Sequence, residues 1–561
     1  MLKKLLQKFK YYGLSGVFNA VKNRISPPYN LYLKNEVIPN SVEMNIQIAT
    51  FAYTPKISII MPVYKPKIAE LDMCIMSIIN NSYKNIEICI VDDGSNNGAL
   101  DNYFRELTKV HPQIINYKKE QKNSGIAATS NIAISNSTGD YLMLIDNDDM
   151  ILPHTFFEYV KVLQQERYDF IYSDEDMIDE NNKRFNPQFK PDWSPHTLLS
   201  RMYVNHLSMY KRELVVEAGG FQSEYDGTQD FDLLLRTFDK FEKVYHIPKI
   251  LYHWRTSENS IAQSIDNKLY IFERAIKALQ SYFSKHNLLV DVNAQDKLLM
   301  YNVDFPQQII ENLSLFIIYK GQQQNLLSLL EQATKITTIK VIIINTTTEN
   351  LEIGDNFTVI ESKENISLHQ IIKKYQATDI CCISTEIIEI QLVKLLQNFI
   401  GISKLTQTGV VGCTTVNENE IIVQSGYIMT KTIHPVGYGQ KYGDTGYYGR
   451  NISLYNYSIV SQECFFVKKS ILEKVPPIYV GDNLSVQAQI ILLQLSILEL
   501  GYHNVNMGNH FVSVKRVPTI NISLSANELL IISEKWQQLY KSDPNYNNNF
   551  SENASKLFQL K

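Results

Sequence analysis

From Lys56 onward, short β-rich apolar runs alternate with helical stretches, and the acidic clusters stand directly behind apolar runs. This alternation is the signature of an α/β domain with a largely parallel sheet. It predicts strands over 57–63, 86–91, 114–117 and 141–145, and helices over 69–79, 98–110, 131–135 and 155–165. In open α/β sheets, ligands bind outside the carboxyl ends of the strands. Asp92-Asp93-Gly94-Ser95 and Asp146-Asn147-Asp148-Asp149 fall there.

A second α/β series begins near Leu313 and follows the order of the first. Residues 208–253 lie over 465–510 without a gap at an offset of 257, which sets His253 on His510. Residues 86–91 match 339–344, and 140–145 match 379–384. Three segments in one order argue for duplication. The 561 residues therefore divide into a basic N-terminal helical segment (1–50), a first α/β domain (51–300), a similar second one (305–520) and a C-terminal helical tail (521–561).

Composition narrows the function classes. With 44% hydrophobic and 20% charged residues the chain is a folded globular protein and not a disordered one. A net charge of −4 leaves no whole-protein basic footprint for nucleic acid. The 6 cysteines form no C-x-x-C pair and sit mostly in apolar runs, so they read as reduced core residues and suggest neither a disulfide framework nor a zinc ribbon. The longest apolar stretch, 488–500, is interrupted by Gln489, Gln494 and Glu499 and falls short of the roughly 20 residues that span a bilayer. Neither a transmembrane helix nor a secretory signal is expected. Before Glu36 the chain has no acidic residue but carries Lys3, Lys4, Lys8, Lys10, Lys22, Arg24 and Lys34, with Leu2, Leu5, Leu6 and Phe9 at helical spacing. That segment is either an interfacial helix on an anionic membrane or a helix packing its apolar stripe on its own protein.

Three acidic constellations could carry chemistry. The apolar strand before Asp146 delivers Asp146, Asp148 and Asp149 to one loop. Crowded carboxylates repel, and a hard divalent cation such as Mg²⁺ or Mn²⁺ relieves that cost while keeping positions open for phosphates. The alternative is an acidic turn capping the next helix. Ser173-Asp174-Glu175-Asp176 follows a second apolar stretch and could line the same cleft, with Asp174 or Asp176 orienting substrate. In Asp226-Gly-Thr-Gln-Asp230-Phe-Asp232, Asp230 would sit in the first turn of a helix, as a general base or as an ordinary cap. No Walker A string, H-E-x-x-H or G-x-S-x-G elbow occurs. The run from Gly437 to Gly443 lacks the spacing of a dinucleotide fingerprint and reads as a tyrosine-rich loop.

Taken in order, Ile57-Ser-Ile-Ile-Met-Pro-Val-Tyr64, Ile90-Val-Asp-Asp-Gly-Ser95, Asn123-Ser-Gly125, the run from Gly139 to Asp149, Gln229-Asp-Phe-Asp232 and His253-Trp-Arg255 resemble family-2 glycosyltransferases of the GT-A fold. Phe189-Lys-Pro-Asp-Trp-Ser-Pro195 is similar to bacterial O-antigen and rhamnan-type transferases. The resemblance implies a mixed, mostly parallel sheet flanked by helices, followed by a degenerate GT-A-like domain. It implies an inverting, metal-dependent hexosyl- or rhamnosyltransferase that moves a sugar from a UDP- or dTDP-sugar to a glycan or lipid-linked acceptor in surface-polysaccharide synthesis. Its expected setting is the cytoplasm, or the periphery of the inner face of the cytoplasmic membrane.

Carried over residue by residue, the resemblance puts Pro62, Tyr64, Asp93, Asn123 and Gly125 around the nucleotide and makes Asp92 a loop-shaping residue. It puts Asp146, Asp148 and His253 around Mn²⁺ or Mg²⁺, with both aspartates beside the donor. It makes Asp230 the base and sets Lys190, Trp193 and Asp174 at the acceptor. Gln229 stands where many relatives have Glu. At matched places the second domain has Asn345, Thr346, Thr385, Ile387, Gln487 and Gln489 in place of carboxylates, so it is expected to hold acceptor, through tyrosines such as Tyr438, Tyr442, Tyr447 and Tyr448, and to catalyse nothing. The competing readings are a non-catalytic glycan-binding or scaffold protein of the same pathway, and metal-dependent nucleotidyl transfer or hydrolysis.

Overall fold

The computed structural model describes residues 27–256, 265–295, 299–351, 353, 357–361, 368–375, 379–476, 484–520 and 522–561. The basic stretch 1–24 lies outside the described residues. The chain divides into two compact units: one runs to Trp193 and includes Met202–Tyr282 and the last two residues, and the other comprises Ser194–Arg201 and Phe283–Gln559.

The first unit is built on β1 (Ile57–Val63), β2 (Ile86–Asp92), β3 (Ile115–Lys119), β4 (Tyr141–Leu144), β5 (Met150–Ile151), β6 (Phe170–Ile178), β7 (Arg184–Gln188), β8 (Ser208–Lys211) and β9 (Val244–Arg255). They form one sheet in the order β3-β2-β1-β4-β8-β6-β9-β5, with β7 on β6. The β3-β2-β1-β4 half is parallel, β8 runs antiparallel to β4 and β6, and β6 and β9 are parallel again. Every residue of β1 except Pro62 is buried, as expected of an apolar run covered on both faces. On one face, helix Ile68–Ile79 turns Leu71, Cys74, Ile75 and Ile78 inward at helical spacing, joined by Leu100 and Phe104 of helix Gly98–Val110.

Two predicted bounds shift for identifiable reasons. A turn from Ile114 N–H to His111 O delays β3 by one residue. The helix expected over 131–135 begins at Ile126, because the remote Asp226 carboxylate accepts from Ala127 N–H at 3.0 Å and caps its first turn.

The second unit contains β10 (Asp291–Gln295), β11 (Met300–Asp304), β12 (Leu313–Tyr319), β13 (Ile339–Asn345), β14 (Thr358–Glu361), β15 (Asp379–Ser384), β16 (Ile387–Glu389), β17 (Thr408–Asn417), β18 (Ile422–Gln424), β19 (Tyr427–Met429), β20 (Ile433–Pro435), β21 (Leu454–Tyr457), β22 (Cys464–Val467) and β23 (His503–Val514). Its main sheet runs β14-β13-β12-β15-β22-β17-β23-β16, with β18 on β17. The eight strands of that path and the side strand β18 follow the order of the first unit, and β21 adds to β23 without a counterpart there. One part of the sequence match fails, because the gap-free offset does not run through the last long strand. His253 pairs across from Asp176, whereas His510 lies in the register shift between Met507 and Phe511 and bonds Asp304.

Two segments pack where the sequence did not place them. Ser194–Arg201 belongs to the second unit, where His196 is buried between Thr408 Oγ1, at 2.7 Å from Nε2, and the Asn456 amide. The expected C-terminal tail joins that unit's core, with Ile532 and Trp536 packed among Tyr427, Ile491 and Leu495.

Candidate active site

The residues expected around the nucleotide meet at the carboxyl ends of β1 and β2. Asp93 N–H bonds Val63 O, and its carboxylate accepts from Ser124 N–H at 2.7 Å and Gly125 N–H at 3.0 Å, which ties the Asn123–Gly125 loop to the strand end. Asp92 accepts from Ser95 N–H at 3.0 Å and shapes its own loop. Gly125 has φ +92, and a Cβ there would stand 2.4 Å from Asp226 Oδ2, so a larger residue would be strained and would displace the Asp226 carboxylate that caps the next helix. Pro62 O accepts from the Asn147 amide at 3.0 Å, Asn123 is exposed, and Tyr64 is 47% exposed. Pro62, Tyr64, Asp93, Asn123 and Gly125 thus share one rim.

The acidic loop beyond β4 is fixed from beneath. Asp149 is fully buried and accepts from Arg255 N–H at 2.6 Å and from the Tyr252 hydroxyl. Asp146 N–H bonds the same hydroxyl at 3.3 Å, and Arg255 Nε donates to Asp148 O at 2.7 Å. Burial, with Asp146 and Asp148 adding to it, pushes the Asp149 carboxyl well up. Burial and then the Asp146 charge raise Asp148 to about 6.

The expected acceptor residues are largely enclosed. Asp174 is buried and accepts from Lys190 N–H at 2.7 Å and from His246 Nε2 at 2.9 Å. Burial would lower the His246 pKa, but Asp174 and Asp192 on either side lift it to about 9. The Lys190 ammonium is buried and donates to Ser173 O, Val204 O, His206 O and Glu175, so it braces the 204–206 loop from inside instead of facing solvent. Trp193 is half-buried against Phe170, Phe238 and Phe241.

Asp230 sits in the first turn of helix Gln229–Thr237. Its pKa is raised by burial and by Asp146, against the opposing pull of His206. His206 Nε2 lies 3.8 Å from Asp146 Oδ2, and its ring stacks on Tyr252 at 4.9 Å. Asp146, His206 and Asp230 are therefore electrostatic neighbours. Gln229 accepts from Gly227 N–H at 2.6 Å and shapes the turn, while Asp232 is engaged by Arg236 at 2.7 Å. Sequence reasoning missed His206 and Tyr252, whose only signal was position beside a strand end, and it counted Asp149 in the acidic run without its part as the buried anchor of that loop.

His253 pairs with Met150 directly behind the acidic loop, and its Nδ1 lies 2.5 Å from Asp176 Oδ1. Among the described residues, no three His, Cys, Asp or Glu side chains close around one point. The set of Asp146, 48% exposed at its side chain, and the charge-crowded Asp148 nevertheless fits a hard cation that takes one or two carboxylates and fills its other positions from phosphates.

At the matched places the second unit has uncharged side chains, with Glu361 and Glu386 close by. The Asn345 amide bonds Glu361 and Glu349 O, Thr385 Oγ1 bonds Gln322, and Gln487 bonds Gln462. Tyr447 packs within an aromatic cluster with Tyr448, Phe550 and Phe558.

Residues 58–219 match the model of glycosyl transferase family 2. The chain is 26% identical over 480 residues to an uncharacterized protein of Sinorhizobium fredii, covering 80% of this chain and 52% of that one. It is 27% identical over 285 residues to the O-antigen biosynthesis protein RfbC of Myxococcus xanthus, covering 51% of this chain and 22% of that one. Among solved structures, the mannosyltransferase PcManGT of Pyrobaculum calidifontis, in complex with GDP-Man and Mn²⁺, aligns with a TM-score of 0.32 at 17% identity, over 51% of this chain and 75% of that one. The chain spans about half or less of the length of the two curated relatives. Residues 58–219, which carry the acidic loop on a mixed sheet flanked by helices, are thus the stretch over which this chain is similar to glycosyl transferase family 2.

Proposed function

We propose that this chain is an inverting glycosyltransferase that moves a sugar from a UDP- or dTDP-sugar to a glycan or lipid-linked acceptor in bacterial surface-polysaccharide synthesis. The observation that carries the reading is the electrostatic neighbourhood of Asp146, His206 and Asp230, in which a second carboxylate lies near the acidic loop. The rim of Pro62, Tyr64, Asp93, Asn123 and Gly125 takes the nucleotide. Asp146 and Asp148 would hold Mn²⁺ or Mg²⁺ together with His253 from β9, a set of described residues that does not close around one point, and the bound cation would offset the charge that grows on the leaving diphosphate. Asp230 takes the proton of the attacking hydroxyl from the opposite face, and its raised pKa makes it a better base than an exposed carboxylate. Trp193 borders the acceptor. O-antigen synthesis is the role named for one relative and supports the choice of pathway. No described helix is long and apolar enough to cross a membrane, and we place the enzyme at the inner membrane face through the basic stretch before residue 25.

The test is incubation of the full chain with UDP-, dTDP- and GDP-sugars, Mn²⁺ and lipid-linked acceptor. Transfer that Asp230→Asn abolishes supports the reading. Glycan binding without donor turnover replaces it with a non-catalytic role.

A further inference from the structure

The sequence sets residues 1–50 apart from the catalytic domain, yet a buried chain of bonds joins them to His253. Asp176 is 1% exposed and takes three donors: the Tyr29 hydroxyl, Arg184 Nε at 2.6 Å and His253 Nδ1 at 2.5 Å. Arg184 is gripped in turn by Glu36 through both terminal nitrogens, one of them at 3.1 Å from Glu36 Oε1. Tyr29 stacks on Tyr32, whose ring meets Phe189 edge-on at 5.3 Å, so helix Pro27–Asn35 is held against the unit by rings as well as by charge.

We infer that Tyr29, Glu36 and Arg184 are positioning residues that set His253 through Asp176, so that the segment before Ile57 is a working part of the donor site. A carboxylate accepts only, so the bond at Nδ1 requires the proton on that nitrogen, and in the neutral ring the lone pair then stands on Nε2, where a ligand can take it. A carboxylate behind a ligating imidazole fixes its tautomer and ring orientation, and loss of such support typically costs 10–100-fold in metal affinity. Asp176 can play that part only while its own rotamer is held. The Tyr29 hydroxyl and the Glu36–Arg184 pair hold it from two sides. The coupling to the metal rests on the proposed function, whereas the coupling to the His253 tautomer does not.

The test uses the full chain and the double variant Tyr29→Phe/Glu36→Gln, with Tyr29→Phe alone as a milder change. In metal-free protein labelled with ¹⁵N-histidine, the His253 signal, identified by its loss in His253→Gln, is expected in the Nδ1–H form and should become a mixture of tautomers in the double variant. Calorimetry with UDP, dTDP and GDP should show the Mn²⁺-dependent affinity falling at least about tenfold in the double variant, with metal-free affinity unchanged. A lower unfolding temperature with tautomer and affinity unaltered would reduce the segment to packing and overturn the inference. A shifted tautomer in a protein that binds no nucleotide even before substitution would sink the proposed function and leave the His253 coupling standing.

Discussion

The Tyr252 hydroxyl donates to the fully buried Asp149 carboxylate, and the same oxygen accepts from Asp146 N–H, so one phenol joins β9 to both ends of the acidic loop. Tyr252→Phe should leave Asp149 with a lost donor at a site water does not reach, costing about 1–3 kcal/mol. Urea unfolding measures it. An unchanged midpoint would mean that the loop finds another donor.

Asp148 gives a pH signature. Its carboxyl titrates near 6, above the ordinary 3.8, because burial and Asp146 disfavour its charge. Between those values the folded chain holds a proton that the unfolded chain has released, so this group favours the fold more as pH falls from 7 toward 4. Metal binding runs the other way, since the cation needs the ionised form. Mn²⁺-dependent nucleotide affinity should fall by about tenfold per pH unit below about 6. Titration calorimetry from pH 7.5 to 5 checks the slope.

Asp230→Asn keeps the volume of the side chain and removes its basicity. Transfer should drop about 10²–10⁴-fold, roughly 3–5 kcal/mol in barrier, while donor affinity stays within about twofold. Asp232→Asn should chiefly lower stability, since that carboxylate is already engaged by Arg236. Steady-state kinetics on both variants separates the roles.

The double variant Asp146→Ala/Asp148→Ala should abolish all transfer by the full chain. Thr385 and Gln487 in the second unit carry no charge at any pH and are bonded to neutral partners. Product analysis decides, because a linkage that persists would make the second unit an enzyme.

Deleting residues 1–24 should release the chain from anionic liposomes and leave soluble donor turnover intact, since Tyr29 and Glu36 remain. Each Lys or Arg near the surface contributes about 1 kcal/mol, screened by salt. Co-sedimentation at low and high ionic strength tests it.

The sequence made β1, β2, helix Gly98–Val110 and the duplication readable because their signals are local: apolar runs, helical spacing and an order of segments. The candidate rim and acidic loop were readable for the same reason, each being a short string behind a strand. Tyr29 and Asp176 lie 147 residues apart, and no local pattern announces that a tyrosine before the first strand will meet a carboxylate on β6. His206 was hidden likewise, as it becomes notable only once folding sets it against Asp146. Lys190 lay within a recognisable string, but burial, which sequence does not register for a lysine, turned its ammonium inward.

Two sheets of one strand order, of which only the first carries the Asp146, Asp148 and Asp149 cluster behind its fourth strand, form an internal control within a single polypeptide. The scaffold evidently assembles without that charge, so the repulsion around Asp148 and Asp149 is a burden kept by the first copy alone. Neutralising it should trade activity for robustness.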